Sequence, residues 1–449
     1  MKRAWVGRWV MLLGSLSTGG TLAAQEVIEL DVQEAVTRAI NSNLSVRAGR
    51  LGVAGSQRQI DTSWNVFLPS ITASTTLTRS NEANQILGTQ DEYHWTGTAG
   101  LDARLTVLPQ VFAELNAAQS DHAAGILSQT ELEEQISEQV QLAFYSLLLQ
   151  REQVAVAEAS AQRSRRTVSD SRADHAAGLV PLQTLRQAEL AAANAELLVI
   201  QRQVTLEQSL ADFAELLAIE PDQTIVLRGA IATPQSVASP LAVGPARDAV
   251  AGRTDLARLQ VQIDAQAARE ASARIGRYLP SITVAAGYNP VIPDVFDANS
   301  AANEQIIDNG SLSITLSFAL DGLLPFSQQS VSQDGVRTRS QTLALEYQEA
   351  LRSAQAEYRT LLRSLAASQA ALAAVQLSLD LAREVLELTE EAYAAGGSDF
   401  AALDDATQAV LEAELALLSE RFNYQSIIIQ LATATGQQVL SQDTQGVER

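Results

Sequence analysis

His94, His122 and His175 are the only imidazoles in the chain, and no two of them share the spacing that metal ligands on one element require. There is no cysteine, which removes thiolate metal sites, disulfides, cysteine nucleophiles and a lipidated N-terminal cysteine together. No phosphate-cradling glycine loop, no nucleophile elbow, no HExxH helix and no clustered acid pair set for general acid/base work is present. The residue types and spacings therefore predict no catalysis, no cofactor and no metal site. What remains is charge: 31 basic against 52 acidic residues give a formal net charge of −21, which repels phosphate backbones and predicts no nucleic-acid partner.

The 449 residues are 46% hydrophobic but only 5% aromatic, and the apolar content is dominated by Ala and Leu, which favours long, closely packed helices. Residues 1–24 read as an export signal: Lys2, Arg3 and Arg8, an apolar run from Trp9 to Leu16, and small residues ending at Ala23-Ala24. Cleavage there removes those three basic residues and takes the charge from −21 to −24. The run is short of the ~20 residues that a bilayer-spanning helix needs.

An internal repeat organises the rest. Phe67-Leu-Pro-Ser-Ile-Thr72 recurs as Tyr278-Leu-Pro-Ser-Ile-Thr283, and His175-Ala-Ala-Gly178 is answered by Tyr393-Ala-Ala-Gly396. The expected organisation is a first repeat over 25–222 with strands near 68–79 and 96–107, and a Pro- and Gly-bearing connector over 223–240. A second repeat follows over 241–437 with strands near 279–289 and 311–320, then a polar tail over 438–449. Each copy reads as helix, strand, strand, very long helix, glycine turn, helix.

In the strands, Ile71, Ala73 and Leu77 alternate with Ser70, Thr72, Ser74, Thr76 and Thr78, and Leu312, Ile314 and Leu316 alternate with Ser311, Ser313, Thr315 and Ser317. A period of two gives one apolar and one wet face, which fits both a transmembrane barrel and a half-buried soluble sheet. Trp64, Phe67, Tyr93, Trp95 and Tyr278 flank the hairpins, where an interfacial girdle would put aromatic residues. The long helices carry a 3.5-residue repeat, as in Ile136, Val140, Ala143, Leu147 and in Val375, Leu379, Ala382, Leu386, Thr389, Tyr393, which predicts left-handed supercoiling. A helix from Gln110 to Ala173 would be about 95 Å long.

That ordered set, with Leu30-Asp-Val-Gln-Glu-Ala-Val-Thr-Arg-Ala-Ile-Asn-Ser-Asn-Leu44 as the opening helix, resembles the TolC family of outer-membrane efflux proteins across essentially the whole mature chain. The resemblance implies a mainly α chain with membrane β: a homotrimer whose twelve-stranded β-barrel, four strands from each chain, lies in outer-membrane lipid and continues as a periplasmic α-helical barrel. It implies an exit duct for tripartite efflux or type I secretion, with a periplasmic adaptor and an inner-membrane pump as partners. Carried over residue by residue, Tyr393 matches the aromatic residue before the second glycine turn, and Asp405-Ala406-Thr407 matches a stretch whose aspartate lines the periplasmic constriction. Asp404 stands beside it and Asp399 lies in the turn; in a trimer each becomes a ring of three carboxylates, whereas by itself each also suits a helix start. Gly178, Leu179 and Val180, with Gly396 and Gly397, are the expected turns and adaptor contacts. Two departures stand out: Ser398 where the family has an arginine lock, with Ala402 in place of a second constriction aspartate, and Ala319-Leu-Asp-Gly322 followed by a displaced Pro325.

The alternative is a soluble periplasmic coiled-coil interaction protein with a small β cap. It predicts no detergent requirement.

Overall fold

The computed structural model describes residues 27–80, 94–220, 223–231, 245–292 and 307–436. The export signal, the connector from 232 onward, Tyr93 and the polar tail lie outside the described residues.

The elements fall into two successive runs of similar order. The first comprises β1 (Val27–Leu30), α1 (Val32–Ser42), α2 (Leu44–Asp61), β2 (Ser70–Ser80), β3 (His94–Val107), α3 (Val111–Ala176), α4 (Leu182–Leu216) and β4 (Thr224–Leu227). The second comprises α5 (Ala246–Ala249), α6 (Thr254–Tyr278), β5 (Ser281–Tyr288), β6 (Val291–Ile292), β7 (Gly310–Ser317), α7 (Gln328–Ala394) and α8 (Phe400–Thr435).

The opening helix is two helices. Asn43 adopts extended geometry, and its side-chain oxygen accepts from the backbone N–H groups of Ser45 at 2.8 Å and Val46 at 3.2 Å, so it ends α1 and caps α2. β2 and β5 each begin one residue after a proline, Pro69 and Pro280, which lacks the N–H that a ladder needs. At the other strand-to-helix junction, Leu320–Leu323 forms a single 3-10 turn and Ser327 caps α7 through the backbone N–H of Ser330. One strand pair was not foreseen: β1 and β4 run parallel, pairing Val27 with Thr224 through Leu30 with Leu227, so the start of the expected connector is sheet. Leu30 and Leu227 from this pair join Phe144, Leu147, Phe213 and Leu217 in the core around the middle of α3.

With 66 residues, α3 extends about 99 Å, and α7 with 67 residues is as long. α3 packs along α2 and α4 on one side and along α6 and α8 on the other, and α7 lies outside α6 and α8. The lateral order is therefore α2/α4, α3, α6/α8, α7. The sheet repeats it as β2, β3, β5, β7, antiparallel throughout, with β6 added on β3. In the α7–α8 hairpin the heptad residues Leu372, Leu379, Val410, Leu417 and Tyr424 form the seam, joined by Val375, Ala382 and Leu386. Midway along, Arg253 binds Asp255 at 2.9 Å and Glu357 at 2.7 Å. Burial works against the guanidinium's charge, but the two carboxylates more than offset it and hold its pKa above the ordinary arginine value.

Candidate functional site

The sheet sorts its side chains by register. Ile71 faces Ala103 and Ala73 faces Leu101; Leu105 faces Val284 and Val107 faces Ile282; Ile282 faces Leu316, Val284 faces Ile314 and Ala286 faces Leu312. One face is thus apolar across all four strands. The opposite face is polar and rich in hydroxyls, with Thr72 beside Asp102, Thr76 beside Thr98, Thr106 beside Thr283 and Thr283 beside Thr315, interrupted by Arg104, Ala285 and two glycines, Gly100 and Gly287. Room on that wet face is made by glycine, since a Cβ at Gly287 would come within 2.7 Å of the Asp102 carboxylate, which accepts from Asn289 at 3.3 Å.

The apolar face is uncovered: Ile71 is 70% exposed, Leu312 75% and Ile314 74%, and no described α-helix packs on the sheet beyond glancing contact. A soluble sheet half-buried within its own chain would pack that face on its own helices, and no described helix does so here. Aromatic rings stand at both ends of the band, with Trp95 under Arg79 at one end and Tyr278 under Arg277 at the other, where Trp64 and Phe67 are also exposed. β2 and β7 are open edges.

At the far end of the helices the two glycine turns have one geometry. Gly178 and Gly396 take φ of 75° and 74°. In the first turn Leu179 N–H donates to the Asp174 carbonyl at 2.8 Å and Gly178 N–H to that of His175 at 3.0 Å; in the second, Gly397 donates to Ala392 at 2.8 Å and Gly396 to Tyr393 at 3.0 Å. Both are Schellman caps, which require a left-handed residue where glycine stands. His175 Nδ1 lies 3.0 Å from the Val180 carbonyl and ties the first turn, leaving Leu179 75% exposed at its apex.

The aspartates separate here. Asp399 caps α8, accepting from the Ala402 backbone N–H at 2.9 Å. Asp405 is exposed. Asp404 is half-buried and, with Tyr393, lines a cavity of about 310 Å³ between the α3–α4 and α7–α8 hairpins. Burial, and then the charge of Asp405, push the Asp404 carboxyl above its ordinary pKa. Sequence reasoning did not find this cavity or two of its side chains. Ser171, 1% exposed, has a hydroxyl with no hydrogen-bond partner among the described residues. Arg163 reaches Glu414 only at 3.9 Å, and its Nε and Nη2 atoms have no hydrogen-bond partner among the described residues. The Tyr393 hydroxyl is likewise buried without one. Among the described residues no three His, Asp or Glu side chains converge as a metal site.

No protein-family model and no curated protein matches the sequence. Solved structures do match the fold. CusC, described as forming a transmembrane channel, superposes with a TM-score of 0.76 at 18% identity over 90% of this chain and 92% of that one. The outer membrane protein VceC from Vibrio cholerae gives 0.74 at 18% identity over 90% and 96%. The MtrE outer membrane channel of Neisseria gonorrhoeae in its open state gives 0.72 at 18% over 90% and 89%. Matched over nine-tenths of its length in both the sheet and the long helices, this chain has the fold of the TolC-like outer-membrane channels.

Proposed function

We propose that the chain is a TolC-family outer-membrane channel: a homotrimeric passive exit duct of a tripartite efflux or type I secretion system, whose partners are a periplasmic adaptor and an inner-membrane pump. The observation that carries it is the sheet of β2, β3, β5 and β7 with an uncovered apolar face, a polar, hydroxyl-rich face and two open edges. Lipid accepts the first face and water the second. An open edge in lipid leaves unpaired N–H and C=O groups at several kcal/mol each, so β7 of one copy must pair with β2 of the next until the ring closes.

The helices support the same closure. α4 exposes Leu190, Leu197, Ile200 and Val204 away from α3, and α7 exposes Leu377, Leu381, Val385 and Leu388 away from α8. These apolar stripes lie on the two lateral edges of one ribbon, the arrangement of a head-to-tail, ring-closing interface. They also explain why α7 contains a stretch that is apolar enough by composition to cross a membrane: it has one apolar face for α8 and a second for a neighbouring copy. Smaller bacterial barrels start at about eight strands, and three copies give twelve.

In this reading the glycine turns face the periplasm, Gly178 to Val180 and Gly396-Gly397 meet the adaptor, and Asp405 forms a ring of three carboxylates that favours cations at the constriction. Asp399 holds the start of the constricting helix, and Tyr393 and Asp404 act from behind the ring. With Ser398 and Ala402 at the departure positions, closure does not use an arginine lock.

Planar-bilayer conductance of the detergent-purified mature protein, with mass analysis of the same sample, tests this. A trimer giving small, cation-favouring steps supports the duct. A soluble monomer without conductance refutes it and restores the coiled-coil interaction protein.

A further inference from the structure

We infer that Phe326 of one copy inserts against the aromatic cluster of Trp64, Phe67 and Phe112 on the next, at the top of a seam in which α7 lies along the neighbouring copy's α2. This clasp rests on the ring closure proposed above and occupies the upper half of the lateral edges, next to the sheet, which that proposal leaves unassigned.

Phe326 is 94% exposed, the highest value among the large apolar side chains described. Its segment is nonetheless well held. Arg277 Nε donates to the Gly322 carbonyl at 2.6 Å and Arg277 Nη1 to the Gln333 side-chain oxygen at 2.8 Å, which ties the Leu320–Leu323 turn to α6 and α7, and Ser327 caps α7. As the residue before that cap, Phe326 would ordinarily fold back on Val331 at the fourth helical position. It does not: its φ is 66°, a costly backbone conformation for a bulky residue, and both side chains stay exposed. A strained backbone that holds an aromatic ring in solvent on a fixed turn is pre-organised for a partner.

Position identifies that partner as a second copy. β7 ends at Ser317, beside Ser281, and β2 begins at Ser70, beside Arg104, so both junctions lie at the helix end of the sheet. When β7 pairs with the next β2, the segment after Ser317 meets the segment before Ser70. That segment carries Trp64 and Phe67, and the Phe67 ring stands 6.3 Å from that of Phe112; all three are exposed. Lower down, the edges match in level. Leu345 lies 17 residues below Gln328 in α7 and Leu44 lies 17 residues below Asp61 in α2, each about 26 Å from its helix end, and both are exposed. Leu51, seven residues above Leu44 and on its face, is exposed as well. Leu345 stands about ten turns above Leu381, so the seam continues the lower α7 stripe in phase. Lipid fits this position less well, because Phe326 stands past the end of β7 and beside the start of α7, at the level of the helices. Paired strands lie about 4.8 Å apart and packed helices about 9 Å, so a gap opens between copies just below the last rung, and a large side chain fills it.

The chain has no cysteine, so introduced thiols report position without background. Full-length mature Phe326→Cys and Trp64→Cys chains, carrying different tags, are co-expressed, purified in detergent and treated with a short bismaleimide. The expected product is a covalent dimer bearing both tags, and the same for Leu345→Cys with Leu44→Cys. If the unaltered protein is a conducting trimer and neither pair links copies, the clasp is overturned and the duct stands; strong relaxation by oxygen of a nitroxide attached in Phe326→Cys would then put lipid on this residue. If the unaltered protein is a monomer, the ring fails and the clasp with it. Phe326→Gly separates assembly from folding, since glycine accepts the left-handed backbone: the thermal midpoint of the dissociated chain is expected to hold or rise, while the ring dissociates at about 10-fold higher protein concentration. A Phe326→Gly ring as tight as the unaltered one overturns the inference.

Discussion

If α4 and α7 are the edges of a closed ring, one charge on either edge should open it. Leu381 is the clearest position: it is 52% exposed, while Leu379, two residues away and turned toward α8, is 3% exposed. Full burial of a leucine side chain is worth about 2 kcal/mol, so covering the exposed half of Leu381 contributes about 1 kcal/mol. The eight stripe residues on the two edges together then supply about 8 kcal/mol per interface before the entropy of association is subtracted. Leu381→Asp forfeits its share and places an unpaired carboxylate in the seam, a further cost of about 3 kcal/mol. The sum, about 4 kcal/mol, weakens each interface about a thousand-fold, and the ring contains that interface in every copy. Sedimentation of the detergent-solubilised variant should show monomers at concentrations where the unaltered protein is trimeric. Leu179→Asp, at the apex of the first turn and outside both stripes, should remain trimeric. A Leu381→Asp trimer of unchanged thermal stability would mean that this face of α7 meets water, and that the ring does not close along this edge.

At the constriction, Asp405→Ala is expected to lower cation preference and divalent block in single-channel recordings; if conductance, preference and block are all unchanged, Asp405 does not line the pore. Because the Asp404 carboxyl has a raised pKa in the folded chain, the folded state holds its proton more tightly than the unfolded one. The contribution of Asp404 to stability is therefore greatest below the ordinary aspartate range and is lost as pH rises through that range and the raised pKa above it, and Asp404→Asn should remove this contribution in amide exchange of residues 390–407. Gly436→Ala combines a φ of 67° with a Cβ 2.5 Å from the Gly252 carbonyl oxygen, and is expected to cost about 2 to 4 kcal/mol and to lower the thermal midpoint by several degrees. Gly396→Ala, at the same φ class but with open space around the Cβ, should cost only about 1 kcal/mol, detected as faster exchange at the second turn with little change in the midpoint.

The features legible in the sequence are those whose cause is local. Alternation in Ser70–Ser80 follows from the two-residue period of a strand, the α7–α8 seam from its heptads, and both turns from a glycine placed where a Schellman cap needs a left-handed residue. What the pattern left open was which medium covers the apolar face, because alternation is the same in water-soluble and membrane sheets; that no helix of this chain covers Ile71, Leu312 and Ile314 is a property of the folded chain and not of the local pattern. The β1–β4 pair was missed because each strand has four residues and its partner lies nearly two hundred positions away.

The aspartates at the tip show a different limit. Asp404 and Asp405 are adjacent in sequence and both are candidates for one constriction, Asp405 by its motif match and Asp404 only by standing beside it, yet successive helical residues point about 100° apart, so they face different surroundings. Phe400, Leu403 and Thr407 line the inter-hairpin cavity, and Asp404 falls within that same stripe, whereas Asp405 lies outside it. The α8 seam does not supply that assignment, because Asp404 and Asp405 stand six and five residues before Val410 and so lie about 120° and 140° from it; Asp404 is set apart by the α3 residues that line the same cavity. Nor does the seam find Ser171 or Arg163, because their significance comes from α3 being laid against α8 across more than two hundred residues of chain, and nothing local to either marks a side chain that folding leaves without a partner.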